Sequence, residues 1–180
     1  MKDPIEQIGS LVLRQKAKPV PKKDFGSRAL KSLIAKMKKS LDKEKYGVAI
    51  AAPQVGASLR LFVVAGRAFD EESADEPDAK AKSKTPDKAF INPELLRVSR
   101  KKKEMSEGCL SVRGKYGTVL RHEKASVKAL DEAGKQFIYH GSGLIGHIFQ
   151  HELDHLEGIL YIDKAVRVTD DESVAPPPKK

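Results

Sequence analysis

The chain has 180 residues, enough for one domain with a core of useful size. Its 34 Lys+Arg against 25 Asp+Glu give a formal charge of +9, spread over Lys-rich stretches at 36–45, 100–103 and the C-terminus. That balance reads as solvated surface with a weak attraction to polyanions such as RNA. No apolar run approaches the ~18 residues of a membrane span, and no signal-peptide core follows Met1. The single cysteine, Cys109, excludes an internal disulfide and fits a reducing compartment.

Residues 1–23 read as an arm, apolar at Leu11, Val12 and Leu13, with Pro19 and Pro21 blocking a helix. Over 24–43, Leu30, Leu33, Ile34, Met37 and Leu41 recur at helical spacing between lysines, which predicts an amphipathic helix with one buried stripe. The following small-residue segment ends in Ala52-Pro53-Gln54-Val55-Gly56, where Gln54 alone has hydrogen-bonding reach. Residues 59–65 are apolar and rich in Val, the pattern of a buried strand. Residues 69–88 offer almost nothing to bury and read as a mobile surface insertion within a single domain spanning 1–166.

Strand-like segments resume at 89–91 and around 95–99. Ala125, Val127 and Ala129 alternate onto one face, and Asp131-Glu132-Ala133-Gly134 is a hairpin signal leading into 136–139. A helix follows, bounded by Ser142 as N-cap and Gly158 as stop, with Leu144, Ile145, Ile148, Phe149 and Leu156 forming a broad apolar surface. The expected fold class is α+β, with antiparallel sheets packed around a central C-terminal helix. Apolar content fades after Asp163, and 167–180 reads as a disordered tail.

That last helix carries His151-Glu152-Leu153-Asp154-His155. One turn separates the two histidines, so both imidazoles project from one face, about 6 Å apart along the axis at ~1.5 Å rise per residue. The spacing suits chelation of one divalent ion, with Glu152 a candidate base for its water. On a buried helix these groups carry a large desolvation cost that a metal offsets. A third ligand is needed for a tetrahedral site with one open position. Asp154 points about 100° away on the helix, and His147 sits ~12 Å along the axis from His155, which makes it a wall or rim residue. His122 and His140 have no distinctive context, whereas Cys109 lies in Glu107-Gly108-Cys109-Leu110-Ser111 beside a flexible glycine. A lone cysteine is more often a small buried hydrophobe, so the spacing alone leaves the choice open.

Together the motifs Gly47…Ala51-Ala52-Pro53-Gln54, Glu107-Gly108-Cys109-Leu110-Ser111 and Gln150-His151-Glu152-x-Asp154-His155 resemble those of the peptide deformylase family, and in the same order. Val12-Leu13-Arg14 and Ile91-Asn92-Pro93 are similar too, and the resemblance runs from about residue 5 to 166, leaving 68–88 and the tail outside it. It implies removal of the formyl group from the N-formylmethionine of new polypeptides. Cys109, His151 and His155 would bind the metal, and Glu152 would take the water's proton and pass it to the leaving amine. The oxyanion would meet the metal, the Leu110 backbone N–H and the Gln54 amide. Val48, Leu144 and Ile148 would line the methionine pocket, Ala49 would lie where substrate backbone pairs, and Glu107 and Arg121 would support the ligands as a pair.

Fe(II) is the ion the resemblance favours, although a Cys/His donor set also accepts Zn, Ni or Co. The implied partners are N-formylmethionyl nascent peptides with a transient ribosome contact, and the implied form is a monomer in the bacterial cytoplasm or an organelle. Ala49 stands in place of a usual glycine, Arg113 and Leu120 in place of common prolines, and His147 at the rim of the methionine pocket. Two other classes use the same features. A zinc peptidase shares the His-Glu-x-x-His helix, but Cys109 and Gln54 argue against it. A non-catalytic ribosome-associated binder would explain the charge, but retention of Glu152 argues against it.

Overall fold

The computed structural model describes residues 4–70, 83 and 85–170. Among these residues, eight strands form two antiparallel sheets. The larger contains β1 (Ala49–Ala51), β2 (Leu61–Val64), β3 (Lys88–Val98), β6 (Lys124–Leu130) and β7 (Gln136–Ser142), in the order β1-β2-β3-β6-β7. The smaller contains β4 (Lys102–Cys109), β5 (Val112–His122) and β8 (Arg167–Asp170), in the order β4-β5-β8.

Two α-helices accompany the sheets among the described residues. The first, α1 (Arg28–Asp42), starts where Ser27 Oγ accepts the Leu30 N–H at 3.2 Å and buries Leu30, Ile34, Met37 and Leu41. The second, α2 (Gly143–Leu156), follows β7 directly. β2 explains the layering. Because successive strand residues face opposite ways, Leu61 and Val63 join the α1 core while Phe62 and Val64 join the α2 core. A strand buried on both faces needs no polar alternation, hence the apolar run Leu61-Phe62-Val63-Val64. On the other side, α2 meets β5 of the smaller sheet. The metal-motif helix is therefore the middle layer, as expected of an α+β domain with sheets wrapped around its C-terminal helix.

The first-expected strand pieces at 89–91 and 95–99 are one strand, β3, broken in register between Ile91 and Glu94 and again between Leu95 and Arg97. Asn92 sits at φ 49°, a left-handed conformation that Asn tolerates, and Pro93 offers no ladder N–H. The Asn92 amide bonds both backbone groups of Val20 (2.7 and 2.9 Å), tying the arm to the bulge. The arm itself is core: Ile5, Leu13, Ala17 and Val20 are buried, and it crosses the end of α2. There Gly158, at φ 76°, would put any Cβ 2.7 Å from the Arg14 carbonyl, so only glycine lets the two backbones approach.

Several elements differ from expectation. The β4–β5 hairpin is rich in Lys and Glu with little apolar alternation, so its sequence shows only lysine-rich surface and a cysteine turn where the structure has two paired strands. β8 occupies 167–170, inside the segment read as tail, because it pairs with 115–118 of β5. The rest of that tail, 171–180, lies outside the described residues, as does most of the 69–88 insertion. The ends of that insertion belong to the fold. Phe69 packs on Tyr139 and Thr85 Oγ1 bonds Asp70 Oδ1 at 2.6 Å. The Gly66 N–H donates to Asp87 at 2.9 Å, and Lys88 opens β3. Ser142 precedes α2 as expected, but its side chain makes no capping hydrogen bond.

Candidate metal centre

α2 presents His151 and His155 with ring centroids 5.0 Å apart. Against them comes Cys109, the last residue of β4, where the ladder with β5 is irregular between Glu107 and Cys109. Gly108 permits this approach, since a Cβ there would sit 2.8 Å from the Tyr116 ring. Cys109 Sγ lies 3.2 Å from His155 Nε2, and the donor atoms of Cys109, His151 and His155 all fall within 4.8 Å of one another.

The surrounding groups orient these three. His151 Nδ1 meets Glu107 Oε2 at 2.7 Å, which leaves Nε2 as its other donor atom. Arg121 forks onto both Glu107 oxygens (2.6 and 3.1 Å) and reaches Asp154 Oδ2 at 2.6 Å. Lys164 takes the other Asp154 oxygen at 2.5 Å. Asp154 thus faces the smaller sheet and away from the donor cluster. His147 Nε2 contacts Glu107 Oε1 at 2.8 Å and lines the cleft. Tyr161 lies nearly parallel to His151, with centroids 6.2 Å apart, and donates its hydroxyl to the Lys115 carbonyl at 2.9 Å.

Gln54 is set by its neighbours. Its Oε1 accepts the Ala51 N–H at 2.8 Å, which turns Nε2 toward Ser111 Oγ (3.1 Å) and Cys109 Sγ (3.5 Å). The turn after Cys109 is anchored from outside: Gln7 Nε2 donates to the Leu110 carbonyl at 3.1 Å, and the Ile8 N–H to the Ser111 carbonyl at 2.8 Å. Behind the small-residue segment, buried Arg67 donates to the Gly47 carbonyl. Gln7, Arg67, Ser111, Asp154 and Tyr161 are contributions that the site motifs did not assign. Only Ser111 and Asp154 lie inside those motifs.

The electrostatics favour a cation. Burial would raise the Cys109 thiol, but the His155 charge and a hydrogen bond from His151 outweigh it and hold the thiol well below its ordinary range. Burial would also raise Glu107, yet hydrogen bonds from His147, His151 and Arg121 keep it ionised far below the usual carboxylate range. Burial would depress His151, but its bonds to Cys109 and Glu107 raise it well above normal, so the cluster draws positive charge to this point. A divalent ion meets the same demand. Glu152 behaves differently: burial pushes it up to about 7, against the pull of the two histidine charges, and Oε2 finds no hydrogen-bond partner among the described residues. The donor set therefore fits a metal ion: a thiolate and two imidazoles, beside a buried carboxylate with one uncommitted oxygen.

A cleft of about 450 Å³ opens onto this cluster. Val48, Ala49, Gln54, Leu110, Leu144 and Ile148 all line it together with Cys109, His151 and Glu152. His155 lies behind, nearly inaccessible to solvent. Ala49 stands on β1, an edge strand of the larger sheet. Arg113 and Glu107 line the same cleft, while Leu120 stands away from it and is half exposed on β5.

A centre of this build is that of a metal-dependent hydrolase. Comparison with known proteins narrows the class: the family model for polypeptide deformylase matches residues 2–171. A peptide deformylase of Halothermothrix orenii is 41% identical over 164 residues, 91% of this chain and 94% of that protein. A crystal structure of class I type b peptide deformylase from Acinetobacter baumannii superposes with a TM-score of 0.78 at 34% identity, covering 91% of this chain and 99% of the other. A Met-Ala-Ser-bound structure of the Acinetobacter enzyme gives 0.77 at 33% identity, covering 91% and 98%.

The chain belongs to the polypeptide deformylase family. It is a metal-dependent amide hydrolase that removes the N-terminal formyl group, as formate, from the formyl-methionine of newly made polypeptides. The peptidase and non-catalytic binder readings are not favoured.

Proposed function

We propose that deformylation here runs through Glu152 as the proton-transfer group, with Cys109, His151 and His155 holding one divalent ion. The observation that carries the reading is the position of Glu152: buried, adjacent to His151, and facing the same cleft as Cys109. An ion in that donor set supplies Lewis acidity, lowering the pKa of a coordinated water and polarising a carbonyl. Fe(II) is the ion we assign, in keeping with the family resemblance; Zn, Ni and Co suit the same donors.

Glu152 accepts the proton of the attacking water and returns it to the amine nitrogen as the formyl C–N bond breaks. Burial raises its proton affinity in the metal-free protein, and a cation held beside it would favour the ionised form that accepts the proton. Gln54 Nε2, fixed by the Ala51 N–H, and the Leu110 N–H at the end of the anchored turn donate to the oxyanion. Val48, Leu144 and Ile148 offer an apolar wall for an unbranched methionine side chain, and the edge at Ala49 pairs with peptide backbone. Glu107 and Arg121 orient His151 and keep the charge of the thiolate side fixed. Because the substrate is born on the ribosome, we place the enzyme in the compartment of translation, the bacterial cytoplasm. Its +9 charge supports a transient ribosome contact.

The test is Glu152→Gln, which preserves size but accepts no proton. Metal content should be retained, while formate release from formyl-Met-Ala-Ser falls by ~10²–10⁴-fold, the usual contribution of general acid–base catalysis. Near-normal turnover in the metal-loaded variant rejects this mechanism.

A further inference from the structure

The cleft rim carries charges that the reaction at its floor does not use. Glu44 and Lys45, which follow α1, form one side; Arg113 and Lys115, at the start of β5, form the other. Arg113 forks onto Glu44 with contacts of 2.8 and 3.1 Å, bridging the two sides. The fork is asymmetric, since Arg113 is 41% exposed and Glu44 only 19%. The pair therefore turns its positive end outward. Lys115 is bonded to Asp170, which is not part of the cleft lining, and Lys45 lies 5.1 Å from the centre of the Tyr46 ring. Behind this rim, residues 22–45 hold nine Lys/Arg and three Asp/Glu, so the local background has the same sign.

We propose that this rim selects nascent peptides with an acidic residue just after the formyl-methionine and disfavours a basic one, with Arg113 as the specificity-determining residue. The proposal rests on the placement of methionine against Val48, Leu144 and Ile148. With the first residue there, the next side chains emerge at the rim. A substrate carboxylate meets Lys45, Arg113 and Lys115, opposed by Glu44 beneath Arg113 and by Asp170, which pairs with Lys115 from outside the cleft lining. A substrate lysine meets three like charges, and gains Glu44 only by displacing Arg113. Such contacts lie in reach of solvent ions, so salt must weaken them.

The experiment compares kcat/KM of the metal-loaded enzyme on formyl-Met-Ala-Ser, formyl-Met-Asp-Ser and formyl-Met-Lys-Ser at low and high ionic strength. The Asp peptide should exceed the Lys peptide about 5- to 10-fold at low salt, with the ratio collapsing at high salt. Arg113→Gln should bring the ratio toward unity, and Arg113→Glu should invert it. Should either variant fold poorly, Lys115→Gln and Lys45→Gln should each shrink the ratio. Turnover of formyl-Met-Ala-Ser with equal kcat/KM for the Asp and Lys peptides overturns the rim proposal alone. So does a preference that ignores salt and all the substitutions. Failure to turn over any of the three peptides overturns the pocket reading beneath it as well.

Discussion

The two sheets hold the metal centre by different physics. On the larger sheet, α2 fixes its histidines through apolar packing. Phe149, fully buried, meets Phe90, Tyr139 and Phe62 with centroids 5.1, 5.7 and 6.2 Å away. Aromatic pairs of this kind contribute about 0.5–1.5 kcal/mol beyond their buried area. The smaller sheet has a core of only Val112, Val119, Leu160 and Tyr161, with a few half-buried neighbours. It meets the centre through charge instead, along the chain Lys164–Asp154–Arg121–Glu107–His151. Packing tolerates pH and salt. A buried charge network does not, because each member compensates the desolvation of the next. Packing therefore seats the helix, while the charge network sets the orientation of His151 on it.

Arg121→Met and Phe149→Ala probe that contrast with the largest expected effects. Both should cost about 3–5 kcal/mol of unfolding free energy in urea titrations, the first by stranding buried carboxylates and the second by opening a cavity. Only Arg121→Met should also lower metal affinity, by roughly 10–100-fold in a chelator competition, because it releases Glu107 and hence His151. Equal loss of affinity in Phe149→Ala would mean that packing and charge are not separable supports.

Glu152 is a polar liability on the packed side, where its Oε2 has no hydrogen-bond partner among the described residues. In chelated protein its carboxyl titrates near 7, raised by burial from an ordinary value of 4.5. A raised folded-state pKa stabilises fully below the unfolded value and loses that contribution as pH climbs through the folded one. Metal-free protein should therefore lose on the order of 3 kcal/mol between about pH 4.5 and 7, relative to Glu152→Gln under the same conditions. Parallel stability–pH curves for the two proteins would show that Glu152 is solvated.

The smallest effect belongs to a position remote from the centre. Ser27→Ala removes the cap of α1 and should cost about 0.5–2 kcal/mol with metal affinity unchanged. A change in affinity would show that the α1 core and the metal centre are coupled.

What the chain determined by local pattern alone is what depends on near neighbours. The spacing of His151 and His155 places both on one face at any position in a fold, because helical geometry is intrinsic. The stripe of α1, the alternation of Ala125, Val127 and Ala129, and the Asp131–Gly134 turn were legible for the same reason. So were the three ordered motifs and, with them, the family. The tertiary structure decided the rest. The β4–β5 hairpin has little apolar alternation to announce it, and β8 is a strand only because residues 115–118 pair with it. Arg121 and Asp154 lie 33 residues apart, and Gln7 reaches the Leu110 carbonyl across 103. Hydrogen bonds and ion pairs at such separations leave no periodicity in a sequence. They exist only where packing has already brought the partners within ~3 Å.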